Sequence, residues 1–320
     1  MNWKLCILGA NSAVPTIDRY PSGQVLQTGI DSILIDCGEG SQLRMLEYGI
    51  KKSRINTILI SHMHGDHIFG LPGLLTSYNL YGRTSPLHIF GPQGIKSYIE
   101  FMIGITSHDF KYPINIQEIT NVTPVNIVNN TAMDIVAFPL RHRIPTYGYR
   151  IREKINRKYL SKEKVTALNL SDQDIKILLN GGSIRIQDQP YTLKHIERHP
   201  TPRSYAYVSD TAYFKECADF IGPVRLLYHE STFLGSDQEL ATERYHSTAT
   251  EAAKTALDAQ AEHLLLGHYS SRYKNIKVFQ EEAEKTFKPV SLARSGKMFV
   301  IPLEDNIEIL DLNESNQFGS

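Results

Sequence analysis

Cysteine is scarce in this 320-residue chain, and the three present, Cys6, Cys37 and Cys217, lie far apart with no C-x-x-C spacing. A disulfide framework is thereby excluded, and reduced thiols in a cytoplasmic protein are expected. No apolar run approaches the roughly 20 residues that a membrane-spanning helix needs. An excess of one charge is missing too, since Lys plus Arg and Asp plus Glu number 34 each. No global charge announces a nucleic-acid partner, so any such surface must be local. Met1-Asn2-Trp3-Lys4 leads directly into a strand pattern, without the apolar core or cleavage site of a signal peptide. Repeats and long low-complexity linkers are absent as well. What remains is an ordinary globular composition, 41% hydrophobic and 21% charged, in a chain long enough for a sizeable core.

Against this plain background one stretch is dense in chemistry. Ser61-His62-Met63-His64-Gly65-Asp66-His67 packs four metal-ligating side chains into six residues. Thr57-Ile58-Leu59-Ile60 before it reads as a short buried strand, Gly65 permits a sharp turn, and residues 70–75 enter a helix. The ligands therefore sit on a loop at the carboxyl end of a strand, where open α/β sheets place their chemistry. Imidazole and carboxylate donors suit zinc and similar divalent ions. Four such groups on one tight loop are too divergent for one tetrahedral ion. His62 and His64 can meet one ion and Asp66 and His67 a second, about 3.5–4 Å away as in two-metal hydrolases.

Elsewhere strands and helices alternate, which predicts an α/β layered fold. Strands are expected over 4–8, over 24–37 with a turn at Thr28-Gly29-Ile30-Asp31, and over 87–90, 133–140, 204–208, 226–228, 262–268 and 298–301. Helices are expected over 41–48, over 92–103 with proline in the first turn, over 248–261 with Ser247 or Thr248 as cap, and over 275–287. Between 150 and 164, seven basic residues face only Glu153 and Glu163. The acidic and polar tail from 304 to 320 is expected to pack loosely.

His-x-His-x-Asp-His after a buried strand resembles the signature of the metallo-β-lactamase superfamily, and from Leu8 to about Pro302 the chain resembles its ribonuclease Z branch. The supporting pieces are Asp36-Cys37-Gly38-Glu39-Gly40-Ser41-Gln42, His142-Arg143-Ile144-Pro145-Thr146-Tyr147-Gly148-Tyr149, Ser209-Asp210-Thr211 and the His268-Tyr269-Ser270-Ser271-Arg272-Tyr273 segment. His229-Glu230-Ser231-Thr232 is similar to the family's HEAT loop, and His246-Ser247-Thr248 to its HST loop. The chain departs from the family at Thr16-Ile17-Asp18-Arg19-Tyr20, which keeps an arginine but lacks a lysine and an asparagine.

The resemblance implies a single four-layer αβ/βα sandwich over 1–320, with a basic arm that grips tRNA inserted at about 150–186. It implies two divalent ions per subunit, with zinc foremost. The first takes His62, His64, His142 and Asp210, and the second Asp66, His67, His268 and the same Asp210. Asp66 would also orient the attacking water, and His246, polarised by Glu230, would protonate the departing oxygen. Ser270 and Arg272 would hold phosphate near the reaction, and Arg152, Lys154, Arg157 and Lys158 would contact tRNA phosphates. The implied activity is removal of the 3′ trailer from precursor tRNA, in a cytoplasmic homodimer. A two-metal hydrolase of small phosphodiesters and a non-catalytic RNA-binding scaffold are the competing readings. His88, His108, His195, His199, His229 and His263 are expected to be structural.

Overall fold

Two β-sheets lie face to face with helices on both outer sides in the computed structural model, which describes residues 1–29, 31–106 and 109–315. Ile30 of the expected turn, His108, and residues 316–320 of the expected tail lie outside the described residues. The first sheet has eight strands, in the order Glu308–Asp311, Lys297–Ile301, Trp3–Gly9, Gly23–Gln27, Ser32–Cys37, Ile55–Leu59, Leu87–Pro92 and Ile114–Ile119. The second has seven, in the order Val290–Leu292, Leu264–Gly267, Leu226–Glu230, Ser204–Val208, Tyr147–Glu153, Met133–Pro139 and Val125–Asn129.

Side-chain alternation along each strand builds the layers. Trp3, Leu5 and Ile7 of the first sheet meet Tyr149, Tyr205 and Tyr228 of the second in a shared core. Cys6 and Leu8 turn the other way, toward Met45, Leu74 and Ile99 of the helices Ser41–Glu47, Leu71–Leu80 and Ile95–Thr106. Val208, Leu227 and Leu266 likewise pack on Ala218, Ala253 and Phe279 of Glu216–Ile221, Ala249–Asp258 and Lys277–Ala283. The result is the expected αβ/βα sandwich. Because its central strands are covered on both faces, Ser204–Val208, Leu226–Glu230 and Leu264–Gly267 are buried along their whole length.

Those three strands run parallel to one another, as do Ser32–Cys37, Ile55–Leu59 and Leu87–Pro92 in the first sheet. Loops leaving their carboxyl ends therefore share an edge in each sheet. Pro92 closes a strand rather than opening a helix, because Leu87–Pro92 continues its parallel pairing up to Ile119. The following helix begins only at Ile95.

The basic stretch departs from its expected limits. Residues 147–153 form a central strand, with Ala206 opposite Arg150. Arg150 Nη1 donates to the carbonyls of Phe220 and Ile221, and Arg152 Nη2 to that of Pro223, at the carboxyl end of a helix where cations are favoured. The inserted lobe instead spans 159–198 and is closed by pairing of Tyr159–Leu160 with Glu197–Arg198. It has its own small core, in which Leu178, Ile184 and Ile196 are buried. Within the described part of the tail, Glu308–Asp311 packs more closely than expected and adds an edge strand to the first sheet. Among the described residues no helix is long and apolar enough to cross a membrane.

Candidate metal centre and catalytic site

All seven expected ligands converge where the two sheets' loops meet. His62, His64, Asp66 and His67 follow Ile55–Leu59, with His67 on the short helix Gly65–Ile68. His142 follows Met133–Pro139, Asp210 follows Ser204–Val208, and His268 follows Leu264–Gly267. The ligand atoms of His62, His64, His142 and Asp210 lie within 4.8 Å of one another, and so do those of Asp66, His67 and His268. Asp210 divides its oxygens between the two groups. Oδ2 faces His62 Nε2 at 3.7 Å and His142 Nε2 at 3.9 Å, while Oδ1 faces His268 Nε2 at 3.2 Å and His67 Nε2 at 3.5 Å.

Three of these histidines are tied from behind at the other ring nitrogen, as metal ligation requires. His67 Nδ1 contacts Asp36 Oδ2 at 2.7 Å, His142 Nδ1 the Tyr245 carbonyl at 2.9 Å, and His268 Nδ1 the Thr232 hydroxyl at 2.9 Å. The Nε2 atoms of His67, His142 and His268 are buried with no hydrogen-bond partner. Orphaned nitrogens turned toward shared carboxylates are a donor set that fits divalent cations. Electrostatics point the same way. Burial lowers the pKa of His62, His64 and His142, favouring the neutral form that metal ligation needs. Burial would also neutralise His67, but Asp66, Asp36 and Asp210 outweigh it and push its pKa well above the usual range. Burial opposes ionisation of Asp210, yet His268, His62 and His67 hold its carboxyl well below the usual range. The centre thus calls for positive charge.

Asp36 organises the first-sheet side. It is fully buried and accepts from Ser61 N at 2.7 Å, Ser61 Oγ at 2.8 Å and Tyr207 Oη at 2.6 Å, besides its contact with His67. Its backbone is left-handed (φ 55°), as is that of His268 (φ 59°). Such conformations outside glycine mark places where the surroundings override local preference. Gly38 is needed nearby, because a Cβ there would sit 2.3 Å from the Asp66 carbonyl.

Glu230 organises the opposite side. It accepts from Thr211 N, Ser247 N, Thr232 N and Thr232 Oγ1 at 2.7–3.0 Å, and its Oε1 lies 2.9 Å from His246 Nδ1. Burial opposes a charge on His246, but Glu230, Asp210 and Asp66 push its pKa up to about 9. His246 stacks on His268 at 5.5 Å and so borders the centre with its proton retained at neutral pH.

A cleft of about 540 Å³ opens onto these groups and is also lined by Ser270 and Arg272, as expected. Arg272 lies over the Phe233 ring at 5.2 Å and 3.7 Å from Asp237. Sequence reasoning missed Arg143 and Arg244 on the same wall, and Thr232, which touches both Glu230 and His268. Arg143 stood inside the quoted His142–Tyr149 string, whereas Arg244 carried no sequence signal. The four expected tRNA contacts lie apart from the cleft. Arg152 belongs to the central strand, Lys154 Nζ reaches the Asn130 carbonyl at 2.7 Å, Arg157 stacks on Tyr159, and Lys158 Nζ donates to the Leu179 carbonyl at 3.1 Å.

Fold and centre together define a class. YhfI of Bacillus subtilis, a metallo-β-lactamase fold protein, superposes with a TM-score of 0.67 at 19% identity, covering 93% of this chain and 99% of that one. The present chain has that fold. The short form of human tRNase Z superposes with a TM-score of 0.69 at 25% identity, covering 93% and 99%. Ribonuclease Z of Porphyromonas gingivalis is 38% identical over 289 residues, 90% of this chain and 95% of that protein. The chain belongs to the ribonuclease Z family. Residues 3–156 also match the family model described as anti-Pycsar protein Apyc1. That span includes the 61–67 loop and His142 but neither Glu230 nor His246.

Proposed function

We infer that this protein is a metal-dependent endoribonuclease that removes the 3′ trailer from precursor tRNA by phosphodiester hydrolysis, leaving a 3′-hydroxyl after the discriminator nucleotide. Family membership supports the substrate. The observation that carries the chemistry is the division of the Asp210 oxygens between two sets of imidazoles. His62, His64, His142 and Asp210 would hold one divalent ion, and Asp66, His67, His268 and Asp210 a second. Zinc suits these nitrogen and oxygen donors. Such ions supply Lewis acidity toward phosphorus and lower the pKa of water toward neutrality.

The chain's own groups do the rest. Asp66 stays ionised, because the nearby His67 and His268 outweigh burial, and it can orient the attacking water and accept its proton. His246, held protonated by Glu230, donates to the departing 3′-oxygen. Ser270 and Arg272 bind the phosphate beside it. The 159–198 lobe, with Arg157 and Lys158 at its root and exposed Lys162 and Lys164 on its first helix, grips tRNA phosphates at a distance from the centre.

A homodimer is the assembly we propose. Leu43 and Leu46 on one helix, and Leu80 and Tyr81 at the carboxyl end of another, stand 63–79% exposed, and the two helices are joined by a Gln42–Ser77 hydrogen bond. A cytoplasmic location fits the three free, buried cysteines. The test is incubation of metal-analysed protein with precursor tRNA, alongside Asp210→Ala. The parent should release trailer and leave a 3′-hydroxyl, while the variant should lose bound metal and nearly all turnover. A variant that keeps two ions and parental turnover would overturn the bridging assignment.

A further inference from the structure

A second cavity, about 530 Å³ and nearly equal in volume to the catalytic cleft, lies on the other side of the 11–19 loop. Its charged lining is Arg19, Lys274, Arg294 and Lys297 against Asp18 and Asp311. Lys297 is committed, with Nζ 2.5 Å from Asp311 Oδ2. Arg19, Lys274 and Arg294 have no ion-pair partner among the described residues. Arg19 further carries a buried Nη1 without a hydrogen-bond acceptor. An unsatisfied buried guanidinium N–H is rare in folded proteins and is commonly completed by a ligand or an ordered water.

The cavity and the cleft share one thin wall. Ser12 and Ala13 line the cleft, while Thr16, Asp18 and Arg19 of the same loop line the cavity. Across from the loop, Tyr269 lines the cavity and its neighbours His268 and Ser270 line the cleft. The partition is held by backbone hydrogen bonds, His268 N to the Ala10 carbonyl at 2.8 Å and Ser12 N to the Tyr269 carbonyl at 3.1 Å. Asn11 Nδ2 donates to the Val14 carbonyl at 2.6 Å, and Thr16 and Arg19 pair across the tip, so the loop is a braced wall.

We propose that this cavity receives a backbone phosphate of the single-stranded 3′ trailer, just beyond the scissile bond. The inference rests on the endoribonuclease reading above. A space of this volume admits a nucleotide-sized group and not a duplex. The trailer is the part of the substrate that is single-stranded next to the cut. Lysine and arginine around a phosphate supply affinity without reading sequence, and a guanidinium pairs with two phosphate oxygens at once. The site would therefore favour trailers long enough to reach it, whatever their bases.

The test combines Lys274→Glu and Arg294→Glu, both at exposed positions, and compares precursors with trailers of one nucleotide and of several. For the parent, KM should be lower with the longer trailer. The double variant should lose that gain, with KM for the long trailer rising roughly tenfold or more, and the salt slope of binding should flatten by about 0.7 for the one lost single-strand phosphate contact. Cleavage of the one-nucleotide trailer and of a small phosphodiester ester should be unchanged, which also reports that the variant is folded. Equal losses on both trailers, or none, would overturn the inference. So would binding of free ATP in the cavity, sensitive to the same substitutions, without any trailer-length effect. A parent that cleaves no precursor at all would sink the endoribonuclease reading together with this one.

Discussion

Replacing Thr232 by valine removes one hydroxyl and almost no volume, at a point where two functional groups meet. Oγ1 donates to Glu230 Oε2 at 2.7 Å and accepts from His268 Nδ1 at 2.9 Å. The residue is 4% exposed, so water cannot easily take the hydroxyl's place. Glu230 keeps the backbone amides of Thr211, Thr232 and Ser247 together with His246, so its loss should fall at the low end for a charged acceptor, about 1.5 kcal/mol. His268 loses the acceptor that orients its ring, leaving a buried N–H unpaired at a cost of about 1–3 kcal/mol. The sum, roughly 2.5–4.5 kcal/mol, should appear as a lowered melting temperature of the metal-free protein. Affinity for the ion near Asp66, His67 and His268 should fall about 10–100-fold, while the ion near His62, His64 and His142 should be held as before. Chelator competition that resolves the two ions is the assay, and Thr232→Ser should restore most of the loss. Parental affinity for both ions in the valine variant would refute the role assigned to Thr232.

His246→Ala should keep its metal content but slow cleavage of substrates with a poor leaving group by roughly 10²–10⁴, and an ester with an acidic leaving group much less. Equal losses on both substrates would make His246 structural. Because Glu230 raises the pKa of His246, activity on the poor leaving group should fall as pH climbs past that raised value, and the variant's profile should lack this limb. Since Tyr159 pairs with Arg198, the lobe between them can be replaced by a short Gly/Ser bridge. Such a protein, shown folded by circular dichroism, should hydrolyse a small phosphodiester normally but bind precursor tRNA weakly, with a flatter salt dependence. Precursor processing at the parental rate would remove the lobe from RNA recognition. Burial pushes the thiols of Cys6 and Cys37 up to about 12 and raises that of Cys217 as well, and all three are at most 1% exposed. None should react with a thiol reagent at pH 8 until the protein unfolds, so rapid native labelling would contradict the packing.

The sequence by itself determined the candidate metal loop, because His62, His64, Asp66 and His67 are neighbours along the chain and a strand, a glycine and a turn suffice to present them together. It also showed the alternation of strands and helices and, through motif likeness, the αβ/βα sandwich and the distant candidate ligands His142, Asp210 and His268. The capped helix after His246 was readable too, since Thr248 and Glu251 form its capping box within one turn. What the tertiary structure alone decided depends on contacts between residues far apart in the chain. Asp36 lies 31 residues from His67 and 171 from Tyr207, yet it binds both, and no local pattern distinguishes it from scaffolding. The basic run from Arg150 read as one surface, but sheet pairing draws Arg150 and Arg152 into a central strand, and the lobe begins only at Tyr159. Charge along a chain does not reveal which carbonyls will neutralise it. The cavity behind the 11–19 loop was likewise invisible, because its cations come from three segments that meet only once both sheets are closed.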